Sequence, residues 1–298
     1  MQSSIADHRS AMTLHRLFVV LAAVILLAAP VRTQSGAFIF IQLSDPQFGM
    51  YSADKEFSQE TANFEFAVAT VNRLRPAFVV ITGDLVNKAG DAAQIAEYER
   101  IKAKVSRGIL VYDMPGNHDV ENAPTPESLA GYRTRARDRY VFSHGGFTGV
   151  VLNSSLIHTP DKATGEASEQ IEWLHEALAS ARDSGARRIV VFQHHPWFLK
   201  SADEPDQYFN IPIVRRTPLL RLFRESGVRL LVSGHLHQNA GVVLNGLEAV
   251  VTAPVGKPLG DARSGLRIFL VTDAGITHKF YDLGSLPTAI DVGSGKLP

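Results

Sequence analysis

Cysteine is absent from all 298 residues. That excludes disulfides, thiolate zinc sites, cysteine nucleophiles, iron–sulfur clusters and a lipid-modified cysteine. An excess of one charge is also missing, because 30 Lys and Arg balance 30 Asp and Glu. A polyanion binder usually shows a basic surplus, so no nucleic-acid partner is expected. No internal repeat, low-complexity tract or long linker follows residue 36. What remains is an ordinary globular composition, 45% hydrophobic and 20% charged, with enough apolar residues for a sizeable core.

The one long apolar run is Leu17–Ala29, LFVVLAAVILLAA, preceded by Arg16 and followed by Pro30. As a helix it would reach about 20 Å, short of the roughly 30 Å of a bilayer core. The pattern reads as a secretory signal peptide, with Met1 or Met12 as the start, and a short uncleaved anchor is the alternative. We therefore divide the chain into an export segment, residues 1–35, and one domain, residues 36–298. Setting aside Arg9, Arg16, Arg32 and Asp7 leaves 27 basic and 29 acidic residues, a near-neutral domain. The expected location is periplasmic or extracellular, and the expected state is a monomer with no stable membrane span once the signal is removed.

Within the domain, short apolar runs alternate with helix-like segments. Strands are predicted at Phe38–Leu43, Phe78–Thr82, Ile109–Tyr112, Val150–Asn153, Ile189–Gln193 and Val228–Ser233. Each lacks a polar face, as strands covered on both sides do. Phe64, Val68, Val71 and Leu74 fall at helical spacing, as do Ile95, Tyr98 and Val105, then Ile171, Leu174 and Leu178. The last third reads as a β-meander over Gly241–Leu244, Leu247–Ala253, Leu266–Thr272 and Ile276–Asp282, with Asn245-Gly246 as a hairpin turn. The fold class is layered α/β with an antiparallel-rich C-terminal part.

Polar clusters stand at the ends of these strands: Ser44-Asp45-Pro46-Gln47, Gly83-Asp84, Gly116-Asn117-His118-Asp119, His194-His195-Pro196 and Gly234-His235-Leu236-His237. Loops beyond the carboxyl ends of strands in α/β sheets converge on ligands. Asp, Asn and His without Cys suit divalent metals of borderline hardness. Each cluster alone is a weak signal; the ordered set is the strong one. Gly83, Gly116 and Gly234 allow close backbone approach.

The set SDPQ, ITGDL, PGNHD, FQHHP and SGHLH resembles the calcineurin-like metallophosphoesterases. Within that family the chain is similar to the standalone, or "complete", serine/threonine phosphatases, through FIQLSDPQFG, GNHDVENAPT, VVFQHHPWFL, YFN and SGHLHQNAG. The resemblance covers essentially the whole domain. It implies a four-layer αββα sandwich with mixed sheets and a phosphoester hydrolase with two divalent metal ions, drawn from Mn, Fe, Zn or Mg. Asp84 would bridge the ions. Asp45, Gln47 and His237 would complete one site, and Asn117, His194 and His235 the other. His118 would be the general acid.

Two positions depart from the family pattern. Gln47 stands where a His is usual; its neutral carbonyl oxygen favours harder ions such as Mn²⁺ or Mg²⁺. The alternative is that Gln47 only hydrogen-bonds a metal-bound water. Asn87 stands where an acid usually orients the catalytic His, so either Asp119 takes over that part in catalysis or backbone alone holds His118. His195 is expected behind the site or on the surface. His144, His158, His175 and His278 are expected on the surface.

Arg133, Arg135, Arg137 and Arg139 would form one cationic face if extended, and a salt-bridged helical surface otherwise. Tyr208, Asn210, Arg215, Arg216 and Asn153 are rim candidates. The expected substrate is a phosphoester, on a phosphoprotein or a small molecule. A phosphodiesterase acting on cyclic nucleotides or glycerophosphodiesters is the alternative enzyme. A non-catalytic metal-binding interaction domain is the alternative of another class.

Overall fold

The computed structural model describes residues 36–298. Eleven strands form two mixed sheets. The first is built from β1 (Phe38–Leu43), β2 (Phe78–Thr82), β3 (Leu110–Met114), β10 (Gly265–Val271) and β11 (Ile276–Asp282), in the order β11-β10-β1-β2-β3. The second is built from β4 (Tyr140–His144), β5 (Phe147–Val151), β6 (Arg188–Phe192), β7 (Val228–Ser233), β8 (Ala240–Leu244) and β9 (Leu247–Val251), in the order β4-β5-β6-β7-β9-β8. The helices are α1 (Ser58–Leu74), α2 (Ala92–Lys102), α3 (Asn117–Val120), α4 (Pro126–Arg133), α5 (Ser155–His158), α6 (Thr164–Asp183) and α7 (Ile213–Glu225).

Strand alternation builds the layers. Phe40 of β1 faces the second sheet and stacks on Phe269 at 4.4 Å and on Phe78 at 4.9 Å. Phe142, Phe147 and Phe192 of the second sheet complete that inter-sheet core. The neighbouring Ile39 and Ile41 face the other way and pack with Phe64, Val68 and Val71 of α1. On the far side, Val150 and Val191 pack with Leu174 and Leu178 of α6 and Leu220 and Phe223 of α7. The result is the expected αββα sandwich.

Two local expectations need correction, and the alternative left open for the arginine run is resolved. The C-terminal strands are not one meander. The β8–β9 hairpin joins the second sheet, with β9 parallel to β7, while β10–β11 joins the first. The Asn245-Gly246 turn is as predicted, with φ of 53° and 76°. The predicted strand Val150–Asn153 lies further back, at Phe147–Val151, which puts Asn153 past its end. Asn153 is buried against Gln170 and Asp138 and is no rim residue. The arginine run forms no strand: Arg133 ends α4, Arg133 pairs with Asp138 and Glu166, and Arg139 lies near Glu166 and Glu169.

The expected export segment, residues 1–35, lies outside the described residues. Among the described residues, no helix is long and apolar enough to cross a membrane.

Candidate metal centre

The five polar clusters leave the carboxyl ends of β1, β2, β3, β6 and β7, so both sheets contribute. Backbone hydrogen bonds knit the loops together. Asp45 N–H donates to Gly83 O at 3.2 Å, Gln47 N–H to Asp84 O at 2.8 Å, and Gly234 N–H to His194 O at 3.0 Å. Two glycines are needed for this closeness. A Cβ at Gly83 would fall 2.7 Å from His194 Nδ1, and one at Gly234 would fall 2.5 Å from Asp45 Oδ2.

The side chains fall into two groups that share Asp84. One is Asp84, His194 and His235, the other Asp45, Asp84 and His237, and in each the potential ligand atoms lie within 4.8 Å of one another. All five residues are buried. Each imidazole is oriented by a backbone carbonyl on its far nitrogen, a common arrangement for metal-ligating histidines. His194 Nδ1 donates to Thr82 O at 2.9 Å, His235 Nε2 to Tyr208 O at 3.2 Å, and His237 Nδ1 to Lys257 O at 2.6 Å. A carbonyl only accepts, so those nitrogens donate, and the opposite nitrogens face the centre, where a proton or a cation can sit.

These inward nitrogens are crowded by acceptor atoms. His194 Nε2 sits 3.0 Å from Asn117 Oδ1, 3.0 Å from His235 Nδ1 and 3.2 Å from Asp84 Oδ2. His237 Nε2 sits 3.5 Å from Asp45 Oδ1. Asn117 points Oδ1 at the centre, with Nδ2 donating to Asn122 Oδ1 at 2.8 Å and to the Tyr208 hydroxyl at 3.3 Å. Gln47 Oε1 is buried and has no hydrogen-bond partner. Crowded acceptors and an orphaned carbonyl oxygen are what a cation would satisfy, so the donor set fits divalent metal binding.

The electrostatics agree. Burial opposes charge on His194, but the Asp84 and Asp45 carboxylates outweigh it and push the imidazole up to about 9. His237 is raised in the same way, with Asp45 outweighing burial. Burial also opposes charge on Asp84, yet His194, His118 and His235 hold its carboxyl well below the usual range. His235 is pushed down to about 3 by burial and then by charge on His194. The centre favours positive charge between the two carboxylates.

His118 lies at the edge of this group and is half-buried. Its N–H donates to Asp84 Oδ1 at 2.9 Å, and its ring Nδ1 donates to the backbone carbonyl of Asn87 at 2.6 Å. Backbone thus holds the ring in place of the missing acid. Asp119 was expected as a catalytic residue, and the structure turns it elsewhere. Its carboxylate accepts from Leu85 N–H at 3.0 Å and Gly116 N–H at 2.8 Å, and lies 3.6 Å from Arg135. Burial first, then the charge of Asp84, pushes it up to about 6. Asp119 fixes the backbone on either side of the site and does not contact the His118 ring.

Several supporting residues carry no sequence signal. Ser154 Oγ accepts from both His194 N–H and His195 N–H, at 3.2 and 2.9 Å, and faces His195 Nδ1. His195 is buried behind the site, its ring 4.4 Å from that of His235. His158 is not a plain surface residue, since it stacks on His195 at 4.6 Å, and His278 pairs with Glu248 at 2.9 Å. Of the rim candidates beyond β6, only Tyr208 reaches the site. Asn210 and Arg216 are buried, and Arg216 donates to the carbonyls of Ala202, Trp197, Ile211 and Glu204, tying down the loop that carries Tyr208. Arg215 donates to His158 O at 3.2 Å.

A sandwich of two mixed sheets with Asp, Asn and His converging at strand ends defines a metallophosphoesterase, and residues 38–239 match the calcineurin-like phosphoesterase family model. The chain belongs to that family and is a phosphoric ester hydrolase. Among curated relatives it is similar to "Serine/threonine-protein phosphatase CPPED1" of Bos taurus, 37% identical over 271 residues that cover 86% of this chain and 87% of that protein. It is also similar to a "Probable cyclic nucleotide phosphodiesterase" of Psychrobacter arcticus, 27% identical over 237 residues, covering 70% of this chain and 76% of that protein. Among solved structures, purple acid phosphatase PPD1 of yellow lupin shares the fold at TM-score 0.65 and 18% identity, over 86% of this chain and 53% of that one.

Proposed function

We propose that the chain hydrolyses phosphomonoesters at a centre of two divalent ions that share Asp84. Asp45, Gln47, Asp84 and His237 would hold one ion; Asp84, Asn117, His194 and His235 would hold the other. The observation that carries this reading is the pair of buried ligand groups with Asp84 in common. Bound there, the ions supply positive charge for the phosphoryl oxygens and lower the pKa of the attacking water.

The chain's own residues do the rest. Thr82, Tyr208 and Lys257 carbonyls fix the three imidazoles before any ligand arrives. Asn122 and Tyr208 fix Asn117. His118, anchored through Nδ1 on Asn87 O, keeps Nε2 for the substrate. As the water oxygen bonds to phosphorus and the phosphorus–ester oxygen bond breaks, the imidazolium form of His118 gives its Nε2 proton to the departing alkoxide and is left neutral.

The 37% identity to a serine/threonine-protein phosphatase supports phosphoserine and phosphothreonine as substrates over a cyclic diester, because the diesterase relative is only 27% identical over a shorter stretch. The test is a Mn²⁺-reconstituted panel of phosphopeptides, alkyl and aryl monoesters, cyclic nucleotides and glycerophosphodiesters, run beside Asp84→Asn. Monoesters should turn over fastest, and Asp84→Asn should lose at least about a hundredfold in kcat/KM, as removal of one charge-stabilising group does. Faster turnover of diesters overturns the monoester reading. Unchanged turnover in Asp84→Asn overturns the metal centre.

A further inference from the structure

Gln47 is the weakest member of the proposed ligand set, because its amide has an oxygen end and a nitrogen end and only one can face a cation. The nitrogen end is accounted for: Nε2 donates to Asn87 Oδ1 at 3.1 Å. Asn87 raises the same question one step out. Its Nδ2 donates to Asp54 Oδ1 at 2.7 Å. Asp54 as a carboxylate offers only acceptors. It therefore demands an N–H from Asn87, which turns the Asn87 oxygen towards Gln47. That oxygen in turn demands an N–H from Gln47. The chain of demands leaves Oε1 on the opposite side of the Gln47 amide, buried and without a partner.

The segment carrying Asp54 is itself held in place. Asp54 N–H donates to Gly49 O at 2.9 Å, and Asp54 Oδ1 also accepts from Gln94 Nε2 at 2.8 Å. Gln94 is buried, and its Oε1 accepts from the N–H groups of Asn87 and Lys88, both at 3.0 Å. Gly49 has no room for a side chain, since a Cβ would fall 2.6 Å from Gln94 Nε2 and 2.8 Å from Asp54 Oδ1. An exposed acid more than thirty residues away in sequence is thus wired to Asn87 from both sides.

We infer that Asp54, acting through Asn87, is a positioning residue that fixes the orientation of the Gln47 amide and so presents its carbonyl oxygen to a divalent cation. Asn87 then serves two ends of the site at once. Its side chain aims Gln47, while its backbone carbonyl anchors His118. An acid at 87 would meet Asp54 with a second carboxylate and lose the N–H that links them.

The inference rests on the two-ion reading above. Its test is Mn²⁺ binding to the metal-free full chain, measured by calorimetry for wild type, Asp54→Ala, Gln47→Ala and the double variant. Wild type should take up two ions. Asp54→Ala should weaken one ion by roughly 10- to 100-fold, the usual effect of losing a partner that orients a ligand, and leave the other unchanged. In the Gln47→Ala background the same change should have no further effect, since residues that act through one another are not additive. Asp54→Glu should recover most of the affinity. Undiminished binding of both ions in Asp54→Ala, equal weakening of both, or a full further loss in the Gln47→Ala background each overturns the inference. Selectivity between the two ions decides, because a general loosening of the fold would not produce it. Fewer than two ions on the wild type overturns the two-ion reading itself, and the relay with it.

Discussion

Five of the proposed ligands hold their backbone in the left-handed region: Asp45, Gln47, Asp84, His235 and His237, with φ between 39° and 68°. Residues other than glycine adopt that region in only a few per cent of cases, at some cost, and cluster there at functional sites. Here the fold repays the cost through the loop-to-loop hydrogen bonds that set each side chain towards the centre. His118 gives the sharpest prediction at this scale. Its ring anchor is a carbonyl and not a carboxylate, and in the proposed mechanism its part in turnover is proton delivery. His118→Asn should leave KM nearly unchanged and lower kcat on alkyl phosphates by about 100- to 10,000-fold. The loss should shrink on 4-nitrophenyl phosphate, whose leaving group needs no proton. An equal loss on both substrates would show that His118 does something other than protonate the leaving group.

At the scale of elements, the segment between β6 and α7 is a scaffold for Tyr208. Glu204 organises it: its carboxylate accepts from Leu199, Lys200 and Ser201 N–H and from Asn210 Nδ2, at 2.7–3.1 Å. Burial opposes its charge, but Asn210 and those N–H groups outweigh it and lower its pKa. A depressed folded pKa means that the stabilisation is complete above the ordinary glutamate value of about 4.3 and is lost as pH falls through the lower folded value. The melting temperature of wild type should exceed that of Glu204→Gln at pH 7, and the gap should close below about pH 4. A gap that persists unchanged at pH 3 would show that the carboxylate charge is not what holds the segment.

The same scale shows what the sequence can and cannot reveal. The bounds of β1, β2 and β7 are legible because each is an apolar run between turn residues, and those of β11 because it alternates between half-buried and exposed positions. The edge strand β4 is not: Val141 and Ser143 are exposed, so YVFSH lacks the apolar continuity of a buried strand. Nor does anything local tell β9 to pair in parallel with β7. The ligands are legible as ordered motifs. Asp54, Ser154 and Glu204 are not, since their meaning comes from partners in other segments. Arg216 reads as a rim residue because the four carbonyls that bury it are invisible in its neighbours.

For the whole molecule, the centre is where the two sheets are joined chemically. Asp45, Asp84 and Asn117 come from the first sheet, while His194, His235 and His237 come from the second. Without a cation the His194 imidazole, its pKa raised by the Asp84 and Asp45 carboxylates, faces those carboxylates across the seam. A divalent ion held by both sets of ligands would therefore act as a cross-sheet fastener as well as a reagent. An ion that binds only the folded state stabilises it by about 2.7 kcal/mol when present at a hundred times its dissociation constant. Chelation should accordingly lower the melting temperature by several degrees, at roughly 2–4 °C per kcal/mol for a domain of this size. Mn²⁺ should restore it, and in Asp84→Asn, where the shared carboxylate is gone, neither addition nor removal of metal should move the transition as far. The midpoint should rise with Mn²⁺ concentration even where activity has already saturated, because linkage continues beyond full occupancy at the assay temperature. A transition that stays put under chelation and reconstitution would mean that the sheets hold their alignment without metal, with the histidine–carboxylate pairs alone closing the seam.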